Sequence, residues 1–463
     1  MSFYESLYNK SPALLQNLLI SAYGYQWKKR RFGGVFPAAY AAAKERESYT
    51  KAQWKEYQSK ELCKLLIHAA EQVPFYKVKF QQAGITSQQL RSFTVEDLQR
   101  LPILSKEELR QSGTTILLSN SREHNGQFFS SSGSTGTPVQ ILLSHAMHQR
   151  WFGIYEARVR NWAGVSSFIP RGMIGGRRII GNAANKAPFY RYNYFEKQVY
   201  FSAYHLSKHN VSNYLEGIRK YGVEYMTGYA VSNYLLAQLF KESGVHVPSM
   251  KAIVTSSEKL TEHMRQVFAD VYGCKTFDGW GSVESCGLVT ECEWGSLHVS
   301  EDAGIIEILD GELNPVPAGE QGTVYCTGLL NYDQPLIRYK IGDAMIASAK
   351  VCNCGRQMPV IQEIAGRIED VIIGKDGRKM VRFHSVFNGL HTIKQAQVIQ
   401  ESLEDIVIKA VPAGKLDGAE QKIIQERIRS QLGEVNVIIE EVDRIPLTAN
   451  GKFKAVVSKL EHR

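Results

Sequence analysis

The chain has 463 residues, too many for one hydrophobic core and enough for roughly two to four domains. Its 44% hydrophobic and 22% charged content is that of an ordinary soluble globular protein. The net charge of +9 is modest for this length and suits a polyanionic small molecule better than a nucleic-acid lattice, while seven cysteines in so long a chain exclude a disulfide scaffold.

In chain order, an apolar helical stretch around Leu14-Leu15 and Leu18-Leu19-Ile20 runs into the basic cluster Lys28-Lys29-Arg30-Arg31. The expectation is a packed N-terminal helix with a solvated basic end; the other reading is an interfacial helix on an anionic membrane. No run of about 18 apolar residues suggests a spanning helix. The start has no charged region, apolar core and small-residue cleavage site in series, so cytoplasm is the expected location.

Between Phe129 and Gln140 the chain reads Phe-Ser-Ser-Ser-Gly-Ser-Thr-Gly-Thr-Pro-Val-Gln. Glycine allows a tight turn and close approach to a ligand. Backbone N–H groups and Ser/Thr hydroxyls can then converge on a phosphate, although a Ser/Gly linker has the same composition. The segment has neither the Gly-Lys-Ser/Thr ending of a Walker loop nor a dinucleotide Gly-x-Gly-x-x-Gly.

The middle of the chain alternates helix and strand. Val211, Tyr214, Leu215 and Ile218 mark an amphipathic helix over Ser207–Tyr221, followed by a strand at Val223–Thr227 and a buried helix at Val231–Lys241. Lys251–Ser256 reads as a strand meeting a ligand at its carboxyl end. Thr261 then caps a helix with Met264, Val267, Phe268 and Val271 on one face. Such alternation implies an α/β sheet flanked by helices. The Pro/Gly stretch Asp310–Gly322 reads as a turn inside this large unit. Beyond Gly366, two strands in Gln397–Ala410, a helix at Ala419–Leu432 and a strand at Val435–Val442 form a small α+β unit. The expected domains are 1–366 and 367–463.

Cys352-Asn353-Cys354-Gly355 is a tight knuckle, and Cys292 and His298 lie upstream. Three thiolates and one imidazole make the closed tetrahedral set of a structural zinc site. Cys286 could replace Cys292, and two reduced loop cysteines with an unrelated histidine are the plainer alternative. Cys63, Cys274 and Cys326 read as small buried hydrophobes.

Five separated segments, in order, resemble the adenylate-forming superfamily of acyl ligases, and in particular its phenylacetate–CoA ligase-like branch near the capsular-polysaccharide-associated members. They span Ser130 to Lys452, about two-thirds of the chain. Ser132, Gly133, Ser134, Thr135, Gly136 and Pro138 fit the superfamily's phosphate loop; Val139 stands where most members have lysine. Thr255-Ser256-Ser257-Glu258-Lys259 is similar to the segment lining the nucleotide and acyl pocket, which implicates Ser257 and Glu258. Asp278-Gly279-Trp280-Gly281-Ser282-Val283-Glu284 resembles the aromatic-Gly-x-Thr/Ser-Glu segment. The resemblance implies that Trp280 and Gly281 contact adenine and that Glu284 holds the Mg²⁺ bridging the ATP phosphates. Val283 replaces a usual hydroxyl.

Arg338-Tyr339-Lys340-Ile341-Gly342-Asp343 resembles Tyr-Arg-Thr-Gly-Asp and makes Asp343 the ribose clamp. Gly366-Arg367-Ile368-Glu369-Asp370 resembles the interdomain hinge, with Arg367 near the ribose or phosphates. Pro446 to Lys452 resembles the ending of the mobile domain and makes Lys452 the catalytic cation at the α-phosphate. The Cys352 to Arg356 run is also similar to one in some phenylacetate–CoA ligase-like proteins.

The implied activity is that of an acid ligase of the acyl-CoA type. Carboxylate and Mg·ATP give acyl-AMP and pyrophosphate, and the acyl group then passes to a nucleophile, most often CoA. The C-terminal unit would rotate about Glu369 between the two steps. The acyl pocket is expected near Tyr229–Asn233, His205 and Ser256–Ser257, with Tyr190–Tyr194 either lining it or packing. One rival is an amide or ester ligase acting on an amino sugar or peptide; another is a non-catalytic binding protein of the same fold. The acid, the acceptor and a homodimer all stay open.

Overall fold

The structure is a computed structural model that describes residues 8, 11–131, 138–177, 179–180, 186–258, 260–365, 372–375, 379–380, 383–387, 390, 392–412, 415–446 and 456–460. A long helix, α1 (Ala13–Phe32), opens it, and α2 (Lys51–Gln72) follows. Thr50 starts α2 with a capping box, its hydroxyl accepting from the Gln53 amide. Next comes a two-stranded hairpin, β1 (Gln127–Ser130) and β2 (Gln140–Leu143), paired from Gln127–Leu143 to Ser130–Gln140.

A six-stranded sheet forms the first layer. Its strands are β3 (Arg171–Gly175), β4 (Tyr190–Asn193), β5 (Gln198–Ser202), β6 (Tyr225–Tyr229), β7 (Ala252–Ser256) and β8 (Lys275–Phe277), in the order β4-β5-β3-β6-β7-β8. All pairs are parallel except β4 with β5. The crossovers are α3 (Val211–Lys220), α4 (Ala230–Glu242) and α5 (Glu262–Tyr272). Buried Tyr214 and Ile218 of α3, Leu236 and Phe240 of α4 and Phe268 and Tyr272 of α5 pack in one core with Met226 and Ile253. The predicted periodicity therefore holds, and Thr261 caps α5 by accepting from the Met264 amide at 3.2 Å. The predicted strand at 223–227 sits two residues later, because Val223 and Glu224 are used in the turn from α3. At Gly228 (φ +126°) a Cβ would stand 2.0 Å from the Ile174 carbonyl oxygen, so only glycine lets β3 and β6 approach there.

A seven-stranded antiparallel sheet follows, in the order β12-β13-β14-β15-β11-β10-β9. Its strands are β9 (Gly279–Gly281), β10 (Leu288–Glu291), β11 (Leu297–Val299), β12 (Gly304–Leu309), β13 (Gln321–Gly328), β14 (Tyr339–Ala347) and β15 (Val360–Ile364). The 310–322 stretch is the β12–β13 connection, as expected. Beyond it lie a short ladder, β16 (Ile372–Ile373) with β17 (Lys379–Met380), and a four-stranded sheet in the order β20-β19-β18-β21. That sheet contains β18 (Ile393–Gln400), β19 (Asp405–Pro412), β20 (Asn436–Glu441) and β21 (Val456–Ser458), covered by α6 (Gly418–Leu432). Ile424, Ile428 and Leu432 of α6 pack on Ile406 and Ile408, and Tyr204 is the body residue that joins this core. The architecture is therefore α/β with a large N-terminal body and a smaller α+β unit after it.

Two expectations are corrected. Cys63 is partly exposed and donates to the Leu90 and Arg91 carbonyls, and Cys274 is only half-buried; Cys326 alone of the three is fully buried. Helix α1 presents its leucines to solvent and buries Arg30, the reverse of a packed helix with a solvated basic end. Of the two readings of Tyr190–Tyr194, packing is the one seen: the run is edge strand β4 and the first residue of the turn after it, with Tyr192 stacked on Tyr221 at 3.9 Å between centroids.

Candidate active site

A cleft of about 810 Å³ opens where the carboxyl end of β7 meets the second sheet. In parallel sheets this end is where ligands bind. Ser256 ends β7 and Ser257 and Glu258 form the turn after it, while Asp278 to Glu284 come from β9 and its flanks, Asp343 from β14, and Gln362 to Ile364 from the end of β15. Thus Ser257, Glu258, Trp280, Gly281, Glu284 and Asp343, which the sequence scatters over nearly ninety residues, line one cavity. Ser131 also lines it and marks where the Ser/Gly segment begins. Its amide donates to the Val139 carbonyl at 2.9 Å, and its hydroxyl accepts from the Val139 amide at 3.0 Å. Ser132 to Gly136, Arg367, the Glu369–Asp370 hinge and Lys452 lie outside the described residues.

The turn after β7 is strained: Ser257 has φ +74°, a value non-glycine residues seldom adopt outside functional sites. Glu258 is anchored by the Val231 amide, which donates to Oε2 at 2.9 Å in the first turn of α4. A carboxylate there is favoured by the helix dipole. Trp280 is only 7% exposed; its indole Nε1 donates to Asp343 Oδ2 at 2.9 Å. The expected adenine and ribose contacts are therefore hydrogen-bonded to each other before any ligand is considered. Glu284 is 5% exposed, and Tyr339 Oη donates to its Oε1 at 3.4 Å. Burial, then the Glu284 charge, holds the Tyr339 phenol well above its ordinary value, so it stays a donor. A buried carboxylate at the cleft with a hard-oxygen donor set fits a divalent cation such as Mg²⁺.

Asp278 received no role from the sequence. Its Oδ1 accepts from the Gly279 amide at 2.9 Å and the Thr255 hydroxyl at 3.3 Å, and burial pushes its carboxyl up to about 7. Lys106 also lines the cleft and was passed over. Its signal was available: Ser105 and Glu108 form a capping box that puts Lys106 in the first turn of a helix. Both departures from the phosphate-site pattern are packing residues: Val139 is fully buried, and Val283 lies against the same core. His205 stands apart from the cleft lining, stacked on Phe189 at 4.8 Å and bonded to the Ser202 hydroxyl at 2.8 Å. Asn233 is buried and bonds the Tyr229 carbonyl.

The four cysteine and histidine residues also converge. The ligand atoms of Cys292, His298, Cys352 and Cys354 all lie within 4.8 Å of one another. Cys292 Sγ is 3.6 Å from Cys352 Sγ, and Cys354 Sγ is 3.4 Å from His298 Nε2. A tetrahedral zinc with Zn–S near 2.3 Å and Zn–N near 2.0 Å requires edges of roughly 3.5–3.8 Å, while a disulfide would need about 2.05 Å. His298 Nδ1 donates to the Met358 carbonyl at 3.1 Å, which leaves Nε2 facing the sulfurs. Burial pushes the Cys292 thiol up to about 12. At Cys352 burial is outweighed by hydrogen bonds, including the Cys354 amide at 3.4 Å, and the thiol falls to about 6. The alternative ligand, Cys286, is buried near Glu284 and Cys326 instead.

Residues 372–459 match the family model described as the CapK C-terminal domain. Over 468 aligned residues the chain is 22% identical to Protein CapK of Staphylococcus aureus, covering 98% of this chain and 99% of that protein. The chain is thus similar to CapK over nearly its whole length. It is also 25% identical over 422 residues to a phenylacetate-coenzyme A ligase of Thermus thermophilus, covering 86% and 87% of the two chains. Among solved structures, 2-hydroxyisobutyryl-CoA ligase in complex with 2-HIB-AMP and CoA aligns with a TM-score of 0.56 at 19% identity, covering 90% of this chain and 92% of that one. The fold is thus that of the adenylate-forming CoA ligases, and the match to CapK runs from end to end.

Proposed function

We propose that the protein is an adenylate-forming acid ligase. It activates a carboxylic acid with Mg·ATP to acyl-AMP and pyrophosphate, then transfers the acyl group, with CoA thiol as acceptor. The observation that carries this reading is the convergence of Ser257–Glu258, Trp280–Glu284 and Asp343 on one cleft beside Ser131.

The nucleotide's phosphates would lie at the Ser131 end, against the hydroxyls and amides of Ser132 to Gly136. Asp343, oriented by the Trp280 indole, accepts from the ribose hydroxyls. Trp280 and Gly281 form the wall beside adenine. Glu284, held by Tyr339, would hold Mg²⁺, whose chemistry here is to neutralise phosphate charge. Carboxylate oxygen attacks the α-phosphorus as the bond to pyrophosphate breaks. Negative charge grows on the α-phosphate oxygens and the leaving pyrophosphate, and Lys452 with Arg367 is assigned to stabilise it. The Glu369 hinge would carry Lys452 away before acyl transfer, with domains 1–366 and 367–463 as the moving parts. Zn²⁺ is assigned to the Cys292–His298–Cys352–Cys354 set, as a structural ion.

ATP–pyrophosphate exchange across a panel of carboxylic acids tests this. Exchange with at least one acid, and thioester on adding CoA, is expected. Exchange followed by an amide or ester on an amino sugar or peptide, with no thioester, would replace the acceptor. No exchange with any acid, despite nucleotide binding, would make the protein a binding module of this fold.

A further inference from the structure

The N-terminal half of helix α1 turns its leucines outward. The inward face of that half is largely polar. Gln16 accepts from the Arg191 guanidinium, Asn17 Oδ1 accepts from the Tyr192 amide at 2.9 Å, and Ser21 Oγ accepts from the Tyr194 amide at 3.1 Å. At Gly24 a Cβ would collide with the Asn193 side chain. These contacts run along edge strand β4; Ile20 packs on the first-sheet core, and Trp27 and Phe32 seat the far end of the helix against Phe129 and Phe152. The outward half carries Leu14, Leu15, Leu18, Leu19, Tyr23 and Tyr25, with Leu14 70% and Leu18 55% exposed. Exposed Tyr194 and Phe195 extend the patch, with Phe195 packed 5.0 Å from Tyr25. Apolar stripes of this extent mark an interaction surface.

Charge decides the occupant. From Ser11 to Lys44 there is no Asp or Glu. Arg30 is spent on His148 and the Leu143 carbonyl, and Arg31 on Glu196. Lys28 donates to the Phe195 carbonyl at 3.0 Å, and Lys29 and Lys197 are exposed beside the stripe. A second copy of the same face would set lysines against lysines with no acid to answer them. An anionic bilayer offers both hydrocarbon for the leucines and phosphate for the ammonium groups. We infer that α1 and the Tyr194–Phe195 turn dock the protein onto anionic lipid, lying in the plane of the interface.

The test is sedimentation of the full chain with vesicles of phosphatidylcholine alone or mixed with phosphatidylglycerol. Wild type should pellet with the anionic vesicles only and should be released as salt rises from about 0.05 M to about 0.5 M. Leu14→Ser with Leu18→Ser should weaken partitioning at least about tenfold, and Lys29→Glu about fivefold, with melting curves unchanged. If the leucine pair fails to fold, Lys29→Glu and Lys197→Glu carry the test. Wild type that stays in the supernatant with anionic vesicles overturns the inference, as does binding unaltered in every folded variant. A dimer in sedimentation equilibrium that Leu14→Ser with Leu18→Ser dissociates would give the surface to a second copy and overturn it equally.

Discussion

The cleft and the Cys/His cluster share the antiparallel sheet but are built by opposite means. The cleft is wide, lined by groups from eight stretches of chain, and its carboxylates take donors scattered along the sequence: Trp280 on Asp343, Tyr339 on Glu284, Gly279 and Thr255 on Asp278. The cluster is closed. Its four ligand atoms nearly touch, His298 is fixed from behind, and Arg356 seals it by stacking on Trp162 at 4.4 Å and pairing with Glu293 at 2.8 Å. An open site can admit and release a substrate. A closed one can only hold.

That contrast predicts kinetic defects without loss of fold on one side, and the reverse on the other. Lys452→Ala should cut pyrophosphate exchange by on the order of a hundred- to a thousandfold while leaving the melting temperature within a degree or two. Glu284→Gln should lower exchange by about a hundredfold, and part of the loss should return at high Mg²⁺ if the carboxylate holds the ion. Cys352→Ser should behave otherwise: zinc content falls below one per chain and the melting point drops by on the order of 10 °C. A variant that keeps full stability and binds no metal would strip the cluster of its assigned role. Trp280→Phe removes one donor from Asp343, a change of about 1 kcal/mol, so KM for ATP should rise about fivefold with kcat nearly constant. Circular dichroism melts at stepped pH read out a buried carboxyl of the cleft instead of its kinetics. Because the Asp278 carboxyl titrates near 7 when folded and near 4 when unfolded, it favours the fold at low pH, and that contribution is lost as pH rises toward 7. Asp278→Asn should therefore flatten the decline in stability between about pH 4 and pH 7.

What the sequence discloses follows the range of the forces involved. The helices of the first sheet were legible because each buries one face, and the periods at Val211–Ile218 and Met264–Val271 record it. The cluster was legible from side-chain type alone: few arrangements other than a metal site bring three thiols and an imidazole together. The choice of Cys292 over Cys286 was not, since it depends on the β10–β11 turn that brings Cys292 back beside Cys352. Resemblance gave the order of the cleft segments. It did not give Asp278, whose environment comes from Thr255 and Glu291 on other strands, nor Lys106, which reaches the cleft from a helix before the first strand. Helix α1 misled because leucine spacing records which residues share a face but not which way the face looks. Hydrogen bonds from β4 amides settled that.

One detail of β11 has a wider reach. Leu297 forms part of the cleft wall while its neighbour His298 turns to the sulfurs, as alternate residues of a strand must. Because β11 is paired on both sides, the peptide between the two residues is fixed by β10 and β15 alike, so the wall of the cleft and the seat of a cluster ligand share one rigid link.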